Sequence, residues 1–283
     1  MNFKVHLRGA EAPSTKIFEP PHEYLNHNSR DGYWGDVTAT IDWCERNYLH
    51  SIYIAEFWNT LSNVGFIFLG LWGCRMCYLE KLEKRFLLLY ASIIVIGVGS
   101  SMYHSTLTKL GQQGDETPMV LAMLVWIFVL LWEDPHFERR HAAWKAKSAY
   151  AMVAFGVLWT VLHFKFCFVY IFQLLFLSLA LTGATKLLRS ASRFPREHPV
   201  RKLSFVYLGF ALLAVTLWLL DQGFCKVLHS LPRGLPNPQL HAWWHIFMSV
   251  HGYLGPTCAV YLREKSLGRR PHLTHFMLYV RVQ

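Results

Sequence analysis

The chain has 283 residues, of which 53% are hydrophobic, 16% aromatic and only 16% charged. That balance excludes an ordinary soluble domain and a disordered chain alike, and it points to a membrane protein. The net charge of +10 does not mark a nucleic-acid binder, because Lys and Arg punctuate membrane-length apolar runs instead of lining one soluble face. No nucleic-acid partner is expected, and the positive charge suits loops that face anionic lipid headgroups.

In chain order, residues 1–31 are polar, with Pro13, Pro20 and Pro21 and no period, and read as a flexible tail without a secretory signal. The stretch GYWGDVTATIDWCERNY follows, where Thr40 or Asp42 is placed to cap a short amphipathic helix at the membrane interface. Seven apolar runs then occupy roughly 52–74, 86–104, 116–132, 148–163, 165–186, 203–221 and 241–262. Most approach the ~20 residues that a bilayer core requires, and the short third and fourth can extend into their flanks. His163 to Lys165 is the polar break between the fourth and fifth runs, which predicts a tight turn there. The predicted fold class is therefore all-α: a polytopic membrane protein with a seven-helix transmembrane bundle over 32–263 and a tail at 264–283.

Lys and Arg are concentrated in the segments 74–85, 137–147, 186–202 and 263–272. The positive-inside rule makes these cytosolic, which puts the C-terminus in the cytosol and the N-terminus in a lumen or outside the cell. Of the six cysteines, Cys74 and Cys77 form a lone C-x-x-C at the end of an apolar run and read as coincidence. Cys44 and Cys225 both fall in non-cytosolic segments, where an oxidising lumen permits a disulfide if geometry allows it.

On this topology His104, Asp115, His241 and His245 lie at one depth on the non-cytosolic side, drawn from three helices. His241 and His245, in HAWWH, are four apart and lie one turn above each other. Ionisable groups at that depth are costly unless paired. Three imidazoles plus water form the ligand set of an open catalytic zinc site. Ser100, one turn before His104, is placed to donate to an oxyanion, and Asp115 to orient or deprotonate water. The plainer readings are interfacial histidines beside an aromatic belt, and a small serine that lets helices pack. His251 is about 240° round from His245 and cannot join the pair, and His163 reads as a spectator in a turn.

A second set is Asp42, Glu45 and Asn47 within six residues, with Glu56 inside the first run. Hard oxygen ligands suit calcium better than zinc. The alternative is helix-start capping by Asp42 and Glu45, with Glu56 paired to a polar neighbour such as Asn59.

At these residues the chain resembles the alkaline ceramidases, from about 32 to 263, on GYWGDVTATIDWCERNY, IAEFWNTLSN, GVGSSMYHSTL followed by Asp115, DQGFC and HAWWH. The nearest likeness is to the phytoceramidase-like branch of this group, itself part of a wider group of seven-helix zinc proteins that includes adiponectin receptors. The resemblance implies hydrolysis of the ceramide amide to a sphingoid base and a fatty acid in the endoplasmic reticulum or Golgi, with the active site luminal. It also implies zinc on His104, His241 and His245, catalytic Ser100 and Asp115, a Cys44–Cys225 disulfide, and calcium on Asp42, the Trp43 carbonyl, Glu45, Asn47 and Glu56. A ceramide-type lipid is the expected substrate, and no protein partner is implied. Where the family has an apolar pair before the Asp, this chain reads GQQGDETPM, and Gly114 is expected to loosen the start of the third span. The rival reading is a receptor or scaffold of the same architecture with a structural zinc. A transporter would carry polar residues along the whole span, which the clustering at one side argues against.

Overall fold

Long apolar segments away from water can satisfy their backbone only internally, and this chain does so almost entirely as helix. The computed structural model describes residues 32–231, 235–274 and 279–282; the tail expected at 1–31 lies outside them. The helices are α1 (Phe57–Ser62), α2 (Val64–Leu79), α3 (Lys84–Thr106), α4 (Lys109–Leu131), α5 (Pro135–Arg140), α6 (Ala142–Phe166), α7 (Val169–Ala191), α8 (Pro199–His229) and α9 (Leu240–Ser266). A short antiparallel hairpin of β1 (Pro271–Leu273) and β2 (Val280–Val282) closes the described chain, so the expected all-α fold has one small exception.

Among the described residues five helices, α3, α4, α6, α7 and α8, are long and apolar enough to cross a membrane. α6 and α7 turn Val153, Val157, Val161, Leu174, Leu177 and Leu181 outward, the pattern of helices that face lipid. The largest buried cluster includes Phe66, Phe86, Trp126, Tyr207, Leu254 and Val260, contributed by α2, α3, α4, α8 and α9. Within it Tyr90 and Thr257 satisfy each other through a 3.0 Å hydroxyl contact.

Local chemistry sets the helix ends. Thr108 caps α4 by accepting from the Gly111 amide, and Asp134 caps α5 by accepting from His136 and Phe137 with Pro135 at the first helical position. Only Leu107 and Thr108 separate α3 from α4. Leu107 is buried and left-handed, with φ 47°, a conformation that costs about 1–2 kcal/mol outside glycine. Its carbonyl accepts from the amides of Thr38 and Ala39, which ties the N-terminal segment to this turn.

Three expectations are corrected. Residues 32–56 contain no helix: Asp42, Glu45 and Asn47 spend their side chains on other partners, and Tyr48 adopts a left-handed φ of 56°. α6 continues through His163 to Phe166 and turns at Cys167 and Phe168, because His163 finds a buried partner and needs no exit to water. Gly114 does not loosen α4, which is continuous through it. Here α3 and α4 touch backbone to backbone, and a Cβ on Gly99 would lie 1.9 Å from the Gly114 carbonyl oxygen.

The two ends of the bundle differ in charge. At one end, Arg85 and Arg263 bridge Glu83 and Glu138 at 2.6–2.9 Å, joined by Lys145 on Glu138. At the other lie the N-terminal segment, the α3–α4 and α6–α7 turns and the start of α9.

Candidate metal centre

α3 and α9 bring His104, His241 and His245 together, all buried, with one ligand nitrogen of each within 4.8 Å of the others. Their ring centroids are 4.6–5.1 Å apart. Hydrogen bonds fix two tautomers. His104 Nδ1 is 2.5 Å from Glu56 Oε2; when Glu56 is ionised it only accepts, so Nδ1 then carries the proton and Nε2 the lone pair. His245 Nδ1 is 2.8 Å from Ser62 Oγ, whose own proton goes to the Asn59 carbonyl, so His245 donates and again leaves Nε2 free. Outer partners of this kind orient and strengthen metal-binding imidazoles.

His241 is positioned differently. Its backbone amide donates to Asp221 Oδ1 at 3.2 Å, and Trp43 stacks on its ring at 3.6 Å. Its Nδ1 is buried without a hydrogen-bond partner among the described residues. A trio of imidazoles with directed lone pairs is a donor set that fits a transition metal with nitrogen affinity. The second triad of ligating atoms, Cys44, Cys225 and His229, does not fit one, because the two cysteines are bonded to each other across a Cα–Cα distance of 5.4 Å. That bond ties the N-terminal segment to the end of α8.

Ser100 and Asp115 lie beside the trio. Ser100 Oγ is 3.4 Å from His245 Nε2 and hydrogen-bonds the Asp115 carboxyl. Both line a cavity that is mostly apolar, with Ser92 and His251 as further polar members, and that is also lined by His245, Ile93, Met119, Trp126 and Gly255.

The oxygen-rich set forms a second layer. Trp43 N donates to Glu56 Oε1 at 2.9 Å, and Asn59 Nδ2 donates to Glu56 Oε2 at 3.0 Å. Glu45 accepts from the amides of Trp58 and Asn59 at 2.8 and 2.9 Å, so it caps α1 across thirteen residues of chain. Asn47 Nδ2 donates to both Asp42 oxygens at 3.1–3.2 Å, while Asn47 Oδ1 is buried and unpartnered among the described residues. Burial pushes the Glu45 carboxyl up to about 7 against those two amides, and the Glu56 charge adds to the rise. An orphaned buried acceptor among crowded carboxyls fits a hard cation. The capping and Asn59-pairing roles weighed as the alternative are also present, so Glu45 and Glu56 carry both.

Sequence reasoning missed Asp221, which accepts from the amides of both Cys44 and His241, and Ser62 behind His245. Their signal was weak: Asp221 appeared only as part of DQGFC, and a serine in an apolar run reads as packing. His163 was misjudged, since it pairs with Glu116 inside the bundle. His251 stays apart from the trio, as expected, bonded to the Tyr207 carbonyl at 3.0 Å.

Comparison with known proteins matches the sequence to a family. The chain is 32% identical over 245 residues to an alkaline ceramidase of Arabidopsis thaliana, covering 87% of this chain and 92% of that protein. It is 32% identical to alkaline ceramidase 3 of Mus musculus, covering 86% and 90%, and 33% identical to alkaline ceramidase YPC1 of Saccharomyces cerevisiae, covering 80% and 78%. With the family model described as Ceramidase matching residues 35–282 as well, the chain belongs to the ceramidase family.

Proposed function

We propose that the chain is a zinc-dependent amidohydrolase that cleaves ceramide and phytoceramide within the membrane, releasing a sphingoid base and a free fatty acid. The observation that carries this reading is the meeting of three imidazoles, one of which, His245, lines a mostly apolar cavity together with Ser100 and Asp115. His104, His241 and His245 would hold the ion, which when bound supplies a Lewis acid that polarises a carbonyl oxygen and acidifies water. Asp115 takes the proton from the attacking water and returns it to the leaving amine as the C–N bond breaks. Ser100 donates to the oxyanion that develops on the amide oxygen. The cavity walls hold the alkyl chains and exclude bulk water, which strengthens both interactions.

Calcium is the second cation of this reading, held by Asp42, the Trp43 carbonyl, Glu45, Asn47 and Glu56. Glu56 touches both layers through His104 and Trp43, so calcium occupancy bears on the aim of a zinc ligand. α2 and α9 complete seven crossings with the five apolar helices, the basic end facing the cytosol and the trio facing the lumen of the endoplasmic reticulum or Golgi. The crowding of Arg and Lys at the end opposite the trio supports that orientation.

The test uses purified protein with fluorescent ceramide and phytoceramide, with and without a zinc chelator, beside a His241→Ala variant. Fatty-acid release that disappears in both controls is expected. Zinc at one per chain with no release from either lipid would instead leave a receptor or scaffold. Asp115→Asn is expected to abolish turnover while zinc stays bound.

A further inference from the structure

We propose that Glu116 and His163 are positioning residues: a buried pair that fixes the rotation of α4 and so the aim of Asp115. The proposal deepens the hydrolase reading and rests on it. Glu116 and His163 are 4% and 0% exposed, and His163 Nε2 donates to Glu116 Oε2 at 2.6 Å. The other carboxyl oxygen of Glu116 accepts from Gln112 Nε2 at 2.8 Å, and Gln112 Oε1 accepts from the Thr40 amide at 2.8 Å. Trp159 stacks on the imidazole with centroids 4.8 Å apart.

This pairing is out of place if its purpose is packing. α6 buries only Gly156, Trp159 and His163, and the rest of its middle, from 149 to 162, is apolar but for Tyr150 and Thr160. A carboxyl and an imidazole between two such helices cost more to bury than a leucine and a phenylalanine of similar volume, which commonly match or exceed a buried polar pair in stability. What the polar pair adds is direction, since its hydrogen bond holds at one rotation of α4 where apolar side chains slide.

Asp115 is the residue before Glu116, about 100° round the same helix. At this depth α4 has two sets of anchors to neighbouring helices: the Gly99–Gly114 backbone contact with the Ser100–Asp115 hydrogen bond towards α3, and the Glu116–His163 bond towards α6, while Gln112 on Thr40 holds its first turns. Without the second, α4 can roll about the first and carry the Asp115 carboxyl about 1 Å off line, enough to cost on the order of 100-fold in rate.

The test is the double variant Glu116→Leu with His163→Phe, assayed beside wild type, Asp115→Asn, His163→Phe and His163→Gln. Expected for the double variant are an unchanged or higher Tm, zinc still at one per chain, KM within about twofold and kcat lowered by about 10- to 100-fold. His163→Gln keeps a donor and is expected to retain kcat within about threefold, whereas His163→Phe loses it. A double variant with wild-type kcat overturns the proposal. Should it fail to fold, equal kcat in His163→Gln and His163→Phe overturns it in the same way. A silent wild type removes the hydrolase reading and this proposal together; an active wild type with an active double variant removes this proposal alone.

Discussion

The two ends of the bundle both gather carboxyls and settle their charge in opposite ways. At the basic end Glu83 and Glu138 meet Arg85, Lys145 and Arg263. Burial raises the Glu138 carboxyl, but the bonds from Lys145 and Arg85 outweigh it and hold the group at about 2. At the trio's end Glu45, Glu56 and Asp221 take their bonds from backbone amides, Asn59 and His104. Burial there wins and lifts Glu45 to about 7. Carboxyls whose charge is already answered build structure, and carboxyls held by neutral donors keep capacity for a cation.

Substitutions can break this contrast at either end. The largest effect is expected at the trio, where His245→Ala should remove both zinc, read by metal analysis, and fatty-acid release. One layer out, Glu56→Gln should weaken zinc by about 10- to 100-fold, measured by chelator competition. At the basic end Arg263→Leu takes one partner each from Glu83 and Glu138, which keep Arg85 and Lys145, and should cost about 1–3 kcal/mol in thermal or denaturant unfolding, with zinc content unchanged; a loss of zinc there would erase the distinction between the ends. Cys44→Ser should cost about 2–5 kcal/mol, the usual range for a native disulfide that closes a long loop, and reductant should reproduce it in wild type.

The smallest effect is one of pH, and it has opposite sign at the two ends. The stability Glu138 contributes is present above its ordinary value of 4.5 and lost as pH falls towards 2. Without a cation, the stability tied to Glu45 is present below 4.5 and lost as pH rises through about 7. Calcium needs the carboxylate, so the rise in Tm that it gives should grow between pH 5 and 7.5; a flat increment would exclude Glu45 as a ligand.

Much of the fold was legible because periodicity and length survive burial. The third and fourth runs extend into their flanks to become α4 and α6, as helices that must span would. The convergence of His104, His241 and His245 was legible too, since loop charge placed three spans in register before any contact was known. What failed was local. Residues 32–56 carry the spacing of a helix start, yet their polar groups are taken by other partners: Glu45 accepts from the Trp58 amide, Thr40 bonds Gln112 through its amide and hydroxyl, and the Trp43 amide donates to Glu56. His163 looked like a chain turning towards water because its partner, Glu116, is 47 residues away on another helix. Such pairings have no signature in one sequence, because neither residue's neighbours reveal the other.

The order in which the centre is supplied has a consequence for biosynthesis. Glu56 and His104 come early in the chain, Asp115 follows, and His241 and His245 arrive only with α9, the last long helix described. A nascent chain whose earlier helices have entered the bilayer still lacks two of its three imidazoles and the Asp221–His241 contact. If the trio is the catalytic centre proposed above, such a chain would lie among its substrates without the means to cut them. Catalytic competence would then be among the last properties the chain acquires, and a cut anywhere before α9 would take it away.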